Sequence, residues 1–416
     1  MTGEIESGPN PAHETLAVLR EPNFLLYLAS RFFTGAALTL MRATIAWHIF
    51  DLTRSAFHLG LIGLVQFIPT LLLSLPAGAV ADTYERRTII MSTQSVALLA
   101  AAALYLTTRN QLISLPLLYG LIVATAIASS LEGPSRAAVL PTVVPRALFP
   151  SAVAIHSTVQ NLAWIIGPVL MGFAIAEFGI ASAYLIRMGL IFGSIVTFAF
   201  IRPRRSEIRG EVSWRAIREG VAFVRRRQPI VGAMALDMFA VIFAGATALL
   251  PIYANEILHV GPRGYGLLSS ALEIGSLSMA LVLLARGPTT RPGRSLLIAV
   301  AVFGVATIVF GLSRWFPLSF AAFVIAGMAD QVSVVCRQMI IQLSTPDELR
   351  GRVSSVNLLF IGASNQLGAV ESGFVAALTS ATFAVVGGGV LCLGVLAVVA
   401  LKMPELRTYR LGGDPT

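Results

Sequence analysis

Arg31, Arg42, Asp237, Glu273, Asp330 and Glu371 stand inside runs of apolar residues. A charge at the centre of a membrane helix costs about 2.5–3.5 kcal/mol, so each one kept there is a candidate for holding a substrate or passing a proton. A rise of about 1.5 Å per residue puts Arg31 about 12 Å inside its run, and Asp237 about as deep if its run begins at Pro229. Desolvation there favours a protonated carboxyl, whereas a neighbouring arginine favours the carboxylate. An aspartate beside an arginine can therefore be switched by whatever displaces the arginine. At least one of Asp237 and Asp330 is expected to carry a proton. Asn161, Asn357, Asn365, Gln66 and Gln366 add uncharged hydrogen-bonding groups within the runs. Arg187, near the outer end of its run, is expected to snorkel to the interface. Trp47 and Tyr253, near run ends, are expected to anchor there.

These side chains need membrane helices to position them. Of 416 residues, 56% are hydrophobic and 12% charged, with a mean hydropathy of +0.79. A soluble domain carries about 25% charged residues, so the composition is that of a membrane protein. A helical span needs about 20 apolar residues. Twelve runs qualify, centred near residues 35, 68, 98, 122, 165, 190, 242, 275, 303, 327, 365 and 391. They occupy nearly the whole chain, leaving no room for a soluble catalytic domain. The opening residues are polar, and the first apolar run is too long for a signal-peptide core.

The net charge of +9 is sorted by side, which argues against nucleic acid as the partner. Arg86, Arg87, Arg146, Arg202, Arg204, Arg205, Arg209, Arg225 to Arg227, Arg291, Arg294, Arg350 and Arg352 fall in alternate loops. The other loops hold little beyond Arg54, Arg109, Arg263 and Arg314. The positive-inside rule makes the first set cytoplasmic and puts both termini inside. Cys336 and Cys392 lie far apart within or at the end of spans, and the histidines show no metal spacing. A disulfide framework, a metal site and a cofactor are not expected.

The chain repeats itself. The segment from Ser135 aligns with that from Cys336 at a shift of 201 residues, matching Arg136 with Arg337, Pro145 with Pro346, Gly167 with Gly368 and Gly172 with Gly373. The expected organisation is an all-α fold of two six-helix bundles, residues 1–201 and 229–416, joined by a linker at 202–228, with a site between them near mid-membrane. In the linker, Trp214, Ile217, Val221 and Val224 recur on one side among arginines, as in a helix lying on an anionic leaflet.

The loop from Gly78 to Ile90, GAVADTYERRTII, resembles the loop between helices 2 and 3 of the major facilitator superfamily, Gly-x-x-x-Asp-Arg-x-Gly-Arg-Arg. Gly78, Asp82, Arg86 and Arg87 fit; Thr83 and Glu85 depart from it. LYLASRFFTGAA around Arg31, LDMFAVIFAGATALLPIYA, DQVSVVCRQMIIQLSTPDELRGRVSSVN, FIGASNQLGAVESG and PELRTYR resemble the branch of enterobactin exporters and macrolide efflux pumps. The resemblance covers roughly residues 20 to 410. It implies proton-driven export of siderophore-like or drug-like compounds by a non-enzymatic carrier. It also implies an inner gate of Gly78, Asp82, Arg86, Arg87 and Arg136, with Arg337, Arg350 and Arg352 in the second half; Glu132 belongs with this network. Gly167, Pro168 and Gly172 match most of the helix-5 Gly-Pro-x-x-Gly-Gly motif of antiporters, and equally suit close helix packing. The expected partners are a small molecule, protons and lipids, and the expected unit is a monomer. A nutrient uptake permease of the same fold and a non-transporting receptor are the alternatives.

Overall fold

The computed structural model describes residues 17–201, 214–287 and 289–410, without the side chains at 74–79, 81, 82, 214–217 and 220. Long helices account for almost all of it: α1 (Pro22–Thr53), α2 (Ala56–Thr83), α3 (Arg86–Arg109), α4 (Leu115–Ala137), α5 (Phe149–Phe178), α6 (Ile180–Ala199), α7 (Gln228–Ala244), α8 (Gly261–Arg286), α9 (Pro292–Leu312), α10 (Phe316–Leu343), α11 (Asp347–Leu378) and α12 (Ala381–Lys402). Several begin with proline in the first turn, where its missing N–H leaves no bond unmade. Gly179, at φ 78°, turns the chain from α5 into α6 in a single residue.

Among the described residues, eleven spans are long and apolar enough to cross a membrane. The span expected near residue 365 is the exception. At 32 residues α11 is long enough, but Asn357, Ser364, Asn365, Gln366 and Glu371 dilute its apolar character. It faces protein on several sides, packing on α2, α7, α12 and the helix Trp214–Arg225.

The two halves repeat one packing plan. In the first, α1 packs on α5 and α6, α4 on α2 and α3, and α3 on α6; in the second, α7 packs on α11 and α12, α10 on α8 and α9, and α9 on α12. Between the halves the main seams are α2 against α11 and α5 against α8. Their closest approaches lie toward the arginine-poor end. A Cβ on Gly60 would fall 3.0 Å from Gly373 Cα, and one on Gly172 would fall 2.7 Å from Pro262 O. Only glycine lets backbones meet so closely. Around these seams one apolar cluster draws on both halves, including Leu40, Trp47, Met171, Leu249, Tyr265 and Phe310. At the arginine-rich end the clusters belong to single halves: Phe24, Ile90, Val143 and Phe198 in the first, Leu236, Leu296, Ile340 and Val399 in the second. The described seams thus join the halves away from the arginine-rich end.

Helix α7 is interrupted after Ala244. Gly245 leaves helical geometry, and the chain continues as a 3-10 turn, Ala246–Leu249, and a π-helical turn, Tyr253–Ile257. Such turns re-satisfy backbone groups freed by the break. In the linker, Arg202, Arg204, Arg205 and Arg209 lie outside the described residues. The helix Trp214–Arg225 follows, and its Val224 is buried against Ile230, Met234, Ile341, Val353 and Val356. Part of the apolar face expected to meet lipid is therefore docked on the second half.

Candidate functional site

A cavity of about 620 Å³ lies between the halves, walled by α1, α2 and α4 on one side and by α7 and α11 on the other, with Arg187 reaching it from α6. The volume suits a small organic molecule. Leu38, Met41, Phe67, Leu358 and Phe360 make it mostly apolar; Gln66, Thr70, Thr125, Ser129, Ser130, Ser364 and Gln366 supply hydrogen-bonding groups. Among the described residues Arg42 and Arg187 are its charged lining, and no carboxylate lines it. Of the uncharged polar groups noted within the runs, Gln66 and Gln366 face this space. Asn357 instead accepts a bond from buried Arg337, and Asn365 bonds its own backbone at Ile361 O.

The expected intramembrane charges separate into groups. Arg42 lines the cavity and is within electrostatic reach of Glu273 on α8. Asp237 is 7% exposed; its Oδ1 lies 3.1 Å from Arg337 Nη2, and Arg337 Nη1 donates to Asn357 Oδ1 at 2.8 Å. Asp330 on α10 lies in the field of Asp237, Arg337 and Glu273. The second half thus pairs Asp237 with Arg337 and sets Asp330 within reach of both and of Glu273, beside the cavity rather than in its wall. Arg31 is elsewhere, donating to Gln160 Oε1 on α5. Glu371, half-buried, accepts from Ser372 near the arginine-poor end and lines no part of the cavity.

Three readings need correction. Arg187 does not snorkel: it is 6% exposed, about 11 Å inside α6, because the neighbouring helices cover that face. Trp47 and Tyr253 are not interface anchors either. Trp47 is 7% exposed and stacks on Tyr265 across the seam between halves, at 5.3 Å between ring centroids. Tyr253 is fully buried, donates to Gly311 O and packs on Phe310. Burial here comes from helices distant in sequence, and no local signal in the chain announces it.

Every described contact of the gate residues stays within its own half or the linker. Arg86 Nη1 donates to Ala138 O at 3.1 Å and Arg87 Nη2 to Ala199 O at 2.7 Å. Arg350 pairs with Asp347, and Arg352 with Glu219 of the linker helix. Gly78 and Asp82 stand in the last turns of α2, and their side chains lie outside the described set. Arg136 and Arg337 are buried. Arg136 Nε pairs with Glu132, whose carboxylate also accepts from Gln94 Nε2 at 2.8 Å. The helix-5 residues act in packing. A Cβ on Gly167 would fall 2.6 Å from Ala36 O on α1, while Gly172 meets α8, and α5 runs unbroken through Pro168.

Comparisons with known proteins agree with this architecture. The chain is 27% identical over 417 residues to the multidrug efflux pump Tap of Mycolicibacterium fortuitum, covering 94% of this chain and 98% of that one. It is 24% identical over 402 residues to the enterobactin exporter EntS of Escherichia coli O1:K1 / APEC, covering 94% of each. A bacterial homolog of the human lysosomal transporter Spinster, solved inward-facing and unoccupied, shares the fold at a TM-score of 0.68 and 15% identity, covering 96% of this chain and 99% of that one. The sequence profile of the transmembrane secretion effectors matches residues 13–411, so this multi-pass membrane protein belongs to that family of major facilitator transporters.

Proposed function

We propose that the protein exports small amphipathic compounds from the bacterial cytoplasm by alternating access, driven by protons entering the cell. The observation that carries this reading is the position of the seams: α2–α11 and α5–α8 close around the cavity at the arginine-poor end. With the arginine-rich end cytoplasmic by the positive-inside rule, and both termini there, this is the conformation that loads from inside. Rocking of residues 1–201 against 229–416, with 202–228 as the strap, would present the cavity to the other side. The gate loop from Asp82 to Arg87, with its second-half counterparts, would then meet across the inner face. One chain suffices for this cycle. Export is favoured over uptake by the likeness to efflux pumps and siderophore exporters.

Asp237, Asp330 and Glu273 are the proposed proton relay. Arg337 balances the group when its carboxylates are ionised, and Glu273 couples it to Arg42 at the cavity. Substrate binding beside Arg42 would alter that balance and so the proton occupancy of the acids. The test uses inside-out vesicles with an imposed pH gradient and a panel of amphipathic dyes and iron chelators. Wild type should accumulate its substrate uphill. Asp237→Asn or Asp330→Asn should abolish uphill accumulation yet keep downhill exchange. Uphill pumping by both variants at the wild-type rate rules these aspartates out. Greater accumulation of the same compound in cells lacking the protein separates export from uptake.

A further inference from the structure

We propose that the central cavity is built for an amphipathic organic anion, a carboxylate or sulfonate on an apolar body, with its charged end held between Arg42 and Arg187. This deepens the transport reading and rests on it for biological meaning, but the site itself stands on geometry. Both guanidinium groups line one cavity, and among the described residues no aspartate or glutamate lines it with them. Arg187 is 6% exposed, and its Nε and Nη1 find no hydrogen-bond acceptor among the described residues.

A buried guanidinium with donors unmet is costly, and the cost is removed when a planar anion accepts from its edge. The titratable neighbour of Arg187 is Tyr184, a phenol already engaged with His48 Nδ1 at 2.8 Å. Arg42, by contrast, is open to the cavity and has Glu273 within electrostatic reach on α8. The two arginines therefore differ in role. Arg187 is a buried donor awaiting an acceptor, and Arg42 is an exposed charge that a ligand can draw away from Glu273. Met41, Phe67, Leu358 and Phe360 offer the apolar body a wall. A cation in the same place would meet two positive charges and, among the described residues, no lining carboxylate, so the site selects by repulsion as well as by attraction.

Direct binding tests the site without calling on transport. Naphthalene-2-sulfonate and its neutral analogue naphthalene-2-sulfonamide share one apolar body, and ethidium supplies a cation. Each is titrated by equilibrium dialysis into the purified full chain in non-ionic detergent, with empty micelles subtracted. The sulfonate should bind wild type at least tenfold more tightly than the sulfonamide. Arg187→Gln and Arg42→Gln should each cut that ratio at least fivefold by weakening the sulfonate, with the sulfonamide affected far less, and Arg187→Lys should keep part of it. Retained sulfonamide binding also certifies that each variant is folded; Arg42, whose side chain is exposed, gives a second variant at little risk to folding. Equal binding of sulfonate and sulfonamide by wild type overturns the proposal, as does tighter binding of ethidium or a ratio indifferent to both arginines. Sulfonate that binds as expected but is not driven by a pH gradient leaves this site standing and refutes the proton coupling; uphill pumping of ethidium without sulfonate binding does the reverse.

Discussion

Arg136 and Arg337, 201 residues apart and matched by the internal repeat, each tie the opening helix of their own half from within its core. Both are 2% exposed. Arg136 Nη1 donates to Ser30 Oγ on α1 at 3.1 Å, and Arg337 Nη2 lies 3.1 Å from Asp237 Oδ1 on α7. The carboxylate differs in origin: Glu132 comes from Arg136's own helix, whereas Asp237 comes from the first helix of the second half. In the second half, then, the arginine's acid reaches it from another helix.

That difference predicts how the pair Arg337–Asp237 responds to substitution. Arg337→Leu leaves a buried carboxylate without its partner and should cost about 3–5 kcal/mol of stability. Replacing both residues by leucine should recover most of the loss while transport stays absent. Thermal unfolding of the two singles and the double in detergent closes the cycle; a double variant no more stable than the singles means that the pair is not a self-contained unit.

The seam glycines should set the balance between the two faces. A Cβ on Gly172 meets backbone, Pro262 O at 2.7 Å and Gly266 Cα at 3.0 Å, which cannot yield as a side chain would. Overpacking of this kind costs about 1–3 kcal/mol, so Gly172→Leu should favour the parted seam by about five- to 150-fold. Spin labels at Leu52 and Leu378, both exposed and in different halves, report the separation by electron–electron double resonance. An unchanged distance distribution would remove the seam from the mechanism.

Arg263 and Glu177 pair across the α5–α8 seam, each side chain about half exposed. Such a pair is worth about 0.2–1 kcal/mol and is screened by salt. Arg263→Gln should therefore shift the same distance distribution only slightly, and less still in 0.5 M salt. A large shift at high salt would show that the latch is stronger than its exposure allows.

Topology can be read with impermeant thiol reagents, because Cys336 and Cys392 are 2% and 1% exposed and give a quiet background. In intact cells, cysteines replacing Arg54 or Arg263 should react, and those replacing Tyr84 or Arg350 should not. Labelling in the opposite pattern inverts the orientation and, with it, the direction of transport.

The spans were legible because a bilayer punishes any exposed polar backbone, so apolar runs of sufficient length stand out. Arg42 was legible as a cavity residue for the same reason: a charge deep in a run needs a purpose. Arg187 was not, since a position near a run's end looks harmless until the neighbouring helices are known to cover it. For Arg136 and Arg337, assigned to the gate by resemblance, the burial of their side chains among helices far off in sequence was not legible either. Trp47 failed similarly, because its stacking partner Tyr265 belongs to the other half.

The polarity of α11 bears on how the protein is made. An insertion machine judges each segment by its own apolar content, and α11 is the long helix that falls short among those described. Its neighbours α7 and α12 supply the protein faces that its polar groups need. A nascent chain ending at Leu378 should therefore leave α11 incompletely inserted, and extension through α12 should carry it in. Biogenesis of the second half thus waits on its last helix, and a truncation there should be cleared by quality control although eleven twelfths of the bundle have been synthesised.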